Sequence, residues 1–170
     1  MSCAITAGYT LDCKDAIGGI KKVYFGNAEP SSMTLGTNAS GVITSVSGIS
    51  FYAYELLPQG KNSFTETVNS NAEVGTLFYT QVLNLEFTKL TQITRNKLNT
   101  IAKRRNVVIV ETHDGTFFML GEVYGLNVSN GSALSGSAMG EFQGYQLELT
   151  GMEKNPMDQV SSVSSFTVVS

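Results

Sequence analysis

The stretch from Leu77 to Thr112 constrains the fold more than any other part of the chain. Leu77, Tyr79, Leu83, Leu85 and Phe87 alternate with Phe78, Thr80, Val82, Asn84 and Glu86, and polar Gln81 interrupts the first set. Alternation of that length marks a strand with one buried face. From Thr91 to Arg105 the spacing turns helical. Leu90, Thr94, Leu98 and Ile101 with Ala102 form a narrow apolar stripe that no Gly or Pro interrupts. Val107-Val108-Ile109-Val110 then supplies a β-branched run, the pattern of a buried strand. One helix between long strands predicts a mainly β fold: an antiparallel β-sandwich or barrel with a single flanking α-helix at about residues 91–105.

The rest of the 170-residue chain fits around that unit. It is long enough for one domain with a real core, expected over residues 1–155 and followed by a C-terminal arm, 156–170. Ala4–Leu11 and Ile20–Phe25 read as strands, with Gly18-Gly19 turning between them. Residues 26–38 read as loop, and Val42–Val46 and Ile49–Leu57 as a hairpin around Ser47-Gly48. Residues 58–75 read as a polar excursion with a short strand from Phe64 to Val68. His113-Asp114-Gly115 predicts a tight turn between Val107–Thr112 and Thr116–Leu120. Gly121–Val128 continues as strand with a bulge at Gly125, 129–140 is an uncharged Gly/Ser loop, and Phe142–Thr150 is strand again. The β-prone segment 160–169 cannot fold alone and needs a sheet edge to pair with.

The residues exclude more chemistry than they suggest. Charged residues make up only 15% of the chain, against roughly a quarter in an ordinary domain. Small neutral polar groups replace them, as in β-rich proteins that meet neighbours over much of their surface. A hydrophobic content of 42% argues against disorder, and the net charge of -3 argues against nucleic acid as the main partner. Met1–Thr10 does not resemble a secretory signal and no apolar run reaches membrane-spanning length, so a soluble protein made in a cytoplasm is expected, with no membrane partner. Cys3 and Cys13 are too few for a disulfide framework and read as free thiols, with a small bridged loop as the alternative.

No catalytic, cofactor-binding or metal-binding residue is expected. The one histidine, His113, sits in a turn beside Asp114; Glu86 and Glu148 could pair but fall on outward strand positions. Segment 129–140 lacks the lysine of a phosphate-binding loop, and there is no Gly-x-Ser-x-Gly elbow. What stands out is basic charge: Lys89, Arg95, Lys97, Lys103, Arg104 and Arg105 lie within or beside the helix. A solvated helix face, a contact with an acidic patch of a neighbouring copy, and nucleic-acid binding all fit that run. With the long loops and the C-terminal arm, it yields the candidate subunit contacts Lys61, Phe64, Lys97, Arg104, Arg105, Leu134, Met139, Val163, Phe166 and Val168.

Several short phrases look familiar. Phe78-Tyr79-Thr80-Gln81, Leu90-Thr91 into Arg95-Asn96-Lys97, and Val107-Val108-Ile109-Val110-Glu111 resemble small structural proteins of tailed phages that infect Bacteroidetes, the crAss-like group included. Cys13-Lys14-Asp15-Ala16-Ile17-Gly18-Gly19-Ile20-Lys21, Gly144-Tyr145 and Thr150-Gly151-Met152-Glu153-Lys154 add to the likeness. The resemblance implies a non-enzymatic virion protein, assembled in the host cytoplasm, with a tail-tube-like fold. Copies would form a homo-hexamer or larger ring, stacked or single, in contact with other tail or connector proteins, with DNA only passing through the lumen. Contacts would come from long loops and terminal arms, here 58–75, 129–140 and 160–169. A carbohydrate- or protein-binding module, with Tyr52 and Tyr54 at a shallow site, is the alternative; an enzyme would need a pocket around His113.

Overall fold

The computed structural model describes residues 5–169 and shows a mainly β protein of two sheets with one α-helix among those residues. Its strands are β1 (Ile20–Gly26), β2 (Thr34–Thr37), β3 (Ile43–Ser47), β4 (Ser50–Glu55), β5 (Ser63–Asn71) and β6 (Thr76–Thr88). After helix α1 (Gln92–Ala102) come β7 (Val108–Thr112), β8 (Phe117–Leu120), β9 (Asn127–Leu134), β10 (Gly144–Glu153), β11 (Asp158–Val160) and β12 (Thr167–Val169). One sheet has eight strands in the order β12-β4-β1-β7-β8-β11-β3-β2, the other four in the order β5-β6-β10-β9. The expected sandwich with one flanking helix is what the chain forms.

The large sheet is not flat. β3 passes into β4 through Gly48 and Ile49, yet the two strands stand near opposite ends of the sheet order. In a flat sheet the five spacings between them would span about 24 Å. Three residue steps from Ser47 to Ser50 reach at most about 11 Å. The sheet therefore curls until its two ends meet. Gly48 makes the joint possible: its φ is +88°, and a Cβ there would lie 2.1 Å from the Ser32 carbonyl oxygen. So β3 and β4, expected as a hairpin, are consecutive but unpaired.

Curling gives the sheet an inside and an outside, and its central strands are apolar on both. Tyr24 and Ile109 point into the curl, where they meet Ile43, Phe51, Phe117 and Met119. Val23, Phe25, Val108 and Val110 point outward, against Leu83, Leu85 and Phe87 of β6 and Leu147 and Leu149 of β10. The β-branched run of β7 is thus the strand that faces both cores. Helix α1 begins at the cap Thr91, whose hydroxyl accepts from Thr94 N (3.2 Å). It buries only Leu98 and Ile101, at the margin of the inter-sheet core. Gln81, which breaks the alternation of β6, lies on its buried face, 2% exposed. Its Oε1 accepts from Gly121 N (3.0 Å) and its Nε2 donates to Glu66 Oε2 (3.1 Å), so the interruption is a polar tie between the sheets.

Several expectations need correction. Residues 5–11, read as strand, form no strand and are exposed; Ala4, the first residue of that expected strand, lies outside the described residues. Residues 26–38 contain β2 and a 3₁₀ turn, Pro30–Ser32. Half of segment 58–75 is strand β5, paired along β6, and 129–134 belongs to β9, an edge strand. Residues 121–125 form a turn in which the Glu153 carboxylate accepts from the backbone N–H of Val123, Tyr124 and Gly125 (3.2, 2.9 and 3.1 Å). The bulge falls at Ser129 of β9, opposite Glu148/Leu149, rather than at Gly125.

The C-terminal segment does find an edge, and it is on its own chain. β11 pairs with β8 and β3, and β12 pairs in parallel with β4. Between them Phe166, 6% exposed, closes the mouth of the curl. Its ring sits edge-on to Tyr24 and Phe51, each 5.2 Å between centroids. Phe166→Ala is expected to destabilise the protein by about 3–5 kcal/mol, read as a lowered urea midpoint at unchanged slope; a cost under about 1 kcal/mol would remove Phe166 from the core.

Candidate functional site

Two periodicities converge on one hollow. On β4, Tyr52 and Tyr54 are two residues apart and so share a face. On α1 and its C-terminal turn, Lys97, Thr100, Ile101 and Arg104 recur at helical spacing and share a side. With Phe25 of β1, which pairs with Tyr52 in register, they enclose an open hollow of about 280 Å³. Tyr54 is fixed edge-on between Phe25 (5.2 Å) and Phe87 (5.8 Å), and Tyr52 is exposed at the rim.

The cations of this hollow are held differently. Arg104 Nη1 donates to the Asn27 carbonyl (2.7 Å) and its Nε to Asn106 Oδ1 (3.2 Å). Asn106 is fully buried and ties the end of the helix to the body. Its Nδ2 donates to the carbonyls of Ile101 (2.9 Å), Arg104 (3.0 Å) and Leu126 (3.3 Å). Burial pushes the Tyr54 hydroxyl up from its ordinary pKa, with the Arg104 guanidinium pulling the other way. Among the described residues the ion pairs are Lys21–Glu111, Lys22–Glu55 and Arg105–Glu29. Lys97 and Arg104 therefore have no carboxylate partner, and no acidic residue lies between Glu86 and Glu111. An aromatic floor with two uncompensated cations at its rim suits a group that carries apolar surface next to a carboxylate.

The other expected contacts scatter. Lys61 is exposed beside a shallow polar groove of about 380 Å³ on the outer face of the four-stranded sheet, and its backbone N–H donates to Glu86 Oε2 (3.0 Å). Glu148 lines the same groove and accepts from Ser129 Oγ (2.7 Å). Arg105 pairs with Glu29 at 2.6 Å. Leu134 ends β9 and Met139 stands free on the following loop, while Val163 and Val168 are partly exposed near the C-terminal edge. Phe64 and Phe166 are corrections: Phe64 packs inward against Phe118 (5.7 Å) and Phe166 belongs to the curl. Strand alternation places Phe64 on the same side as Glu66, which reaches buried Gln81. Of the ten, Lys97 and Arg104 come together, and they do so with the two tyrosines.

His113 stays in its turn, where its backbone N–H donates to the Gly19 carbonyl (3.2 Å). Asp114 turns away to the hydroxyls of Thr112 and Thr116 and to Thr116 N (3.2 Å), contacts that hold its carboxyl below the usual range. Cys13 is a free, exposed thiol; Cys3 lies outside the described residues. Among the described residues, no group of three or more His, Cys, Asp or Glu is placed to hold a metal ion, and no helix is long and apolar enough to cross a membrane. Comparison of the chain with family models, curated proteins and solved structures finds no match.

One electrostatic feature was invisible in the sequence. Glu122 of the 121–125 turn meets Asp158 at the start of β11. Burial pushes both carboxyls above their ordinary values, 4.5 and 3.8; Asp158 and Glu153 add to the rise at Glu122, while at Asp158 the hydrogen bond with Glu122 pulls down and Glu66 pushes up. Raised folded-state values mean that the folded protein holds protons the unfolded chain has released. The pair's contribution is complete below the ordinary values and is lost as pH climbs through the raised ones. Asp158→Asn should therefore gain melting temperature relative to the wild type as pH rises from about 4 to about 7, since groups common to both proteins cancel in the difference. A difference that is the same at both ends would contradict the pairing.

Proposed function

We propose that this chain is a non-enzymatic structural subunit that assembles with copies of itself into rings of a phage tail, as tail tube or connector ring, around a channel for DNA. The observation that carries the reading is the tip of the β5–β6 hairpin. β10 pairs with β6 only from Tyr79 to Thr88, whereas β5 follows β6 out to Thr76. The end of the hairpin thus projects as two strands, and it exposes Val68, Val74 and Leu77. An isolated two-stranded ribbon is marginal in water, and apolar side chains on it are stabilised by a neighbour that covers them.

The four-stranded sheet supports the channel. None of its strands contains a Lys, Arg or His. Its outer face presents Thr, Ser, Asn and Gln with the carboxylates of Glu86 and Glu148. The carboxylates of such a wall repel phosphate, its strands carry no cation, and Lys61 at the edge of the groove is outnumbered by Glu86 and Glu148, so DNA passes without sticking. The resemblance to phage tail proteins in the phrases around Tyr79, Arg95 and Val108 points the same way.

Light scattering over a range of concentrations tests the reading. The wild type is expected to give a mass of many subunits, and Val74→Lys with Leu77→Lys is expected to reduce it to that of one chain while circular dichroism stays unchanged. A wild type monomeric at every concentration would overturn the reading, and assembly indifferent to the two substitutions would remove its support in the hairpin.

A further inference from the structure

Residues 5–19, ahead of β1, are exposed throughout and belong to neither sheet; Gly19, the last of them, is tied to the β7–β8 turn through His113 N. Ile5, Tyr9 and Leu11 are 95%, 87% and 91% exposed, so this arm offers large apolar side chains that its own body does not cover. It also carries Asp12 and Asp15 against the single cation Lys14. The chain thus has an acidic apolar segment that its own body leaves uncovered and a basic aromatic hollow open at its surface.

We infer that residues 9–15 of one copy seat in the Tyr52/Tyr54 hollow of a neighbouring copy, with Leu11 over the aromatic floor and Asp12 and Asp15 beside Lys97 and Arg104. This rests on the assembly reading above and names the partner of one surface. The dimensions match: seven residue steps at helical rise separate Lys97 from Arg104 by about 10 Å, and three extended steps separate Asp12 from Asp15 by about 10 Å. The charges match as well, because the basic stretch around the hollow contains no acid of its own. The seat is placed in a second copy because each arm is exposed on its own copy and leaves it from the end of β1 opposite the hollow. Ile20 pairs with Thr112, whereas Phe25 at the far end of β1 lines the hollow. A seat given to the next copy and taken from the previous one is a head-to-tail contact, which closes into a ring when the rotation allows.

The test places a photo-reactive p-benzoylphenylalanine at Leu11 of the full chain. Isotopically heavy and light copies are mixed at assembling concentrations, irradiated, digested and read by mass spectrometry. Cross-links joining a light arm to a heavy peptide that contains Tyr52 or Lys97 are expected. Lys97→Glu should lower their yield several-fold, and Lys97→Arg should keep it. Cross-links confined to single-isotope products, or directed elsewhere, in particles that light scattering shows to be assembled would overturn the arm's seat and leave the ring reading standing. A protein that stays monomeric and forms no inter-copy cross-link would overturn both.

Discussion

The structure depends on strands β1 and β7 being buried on both faces. The β-branched run Val107 to Val110, which leads into β7, meets the interior of the curl on one side and the second sheet on the other. A flat sheet could satisfy only one of these, since its other face would need a separate cover. Curling lets one sheet supply its own second core. It also explains why the C-terminal segment returns: Phe166 fills the space that the curl leaves between Tyr24, Phe51 and Phe117. The segment that looked like a detachable arm is part of the closure.

Three buried polar side chains decide how the parts are held in register. Gln81 joins the sheets through Gly121 and Glu66, Glu153 gathers the 121–125 turn, and Asn106 fastens the end of the helix. Each satisfies backbone groups that a methyl would leave unpaired at about 1–3 kcal/mol apiece. Asn106 also fixes Arg104, and so shapes the hollow that Tyr52 and Tyr54 floor. The assembly surface proposed here is thus built on rigid packing, with the projecting hairpin and the residues before β1 left to reach outward.

The sequence was most legible where periodicity met a core. β6, α1 and β7 follow from their spacing, and the β7–β8 turn from Asp114-Gly115. Legibility failed where a strand has no core face. β9 is an edge strand that is exposed over most of its length, so nothing imposes a period on its Ser, Asn and Gly. The converse error occurred before β1, where alternating side chains have no partner strand to make them a sheet. Ser47-Gly48 reads the same whether it closes a hairpin or joins the two ends of a curled sheet, because a turn signal carries no information about distant pairing. The hollow was half visible: Tyr52 with Tyr54, and Lys97 with Arg104, each show the right spacing, but only the fold brings the two pairs together.

Whether the chain makes closed rings is settled most directly by negative-stain electron microscopy of the purified wild type, with class averages sorted by symmetry. The account predicts annular particles of one cyclic symmetry with a stain-filled centre. Compact particles the size of one chain, without an annular class at any concentration, would contradict it.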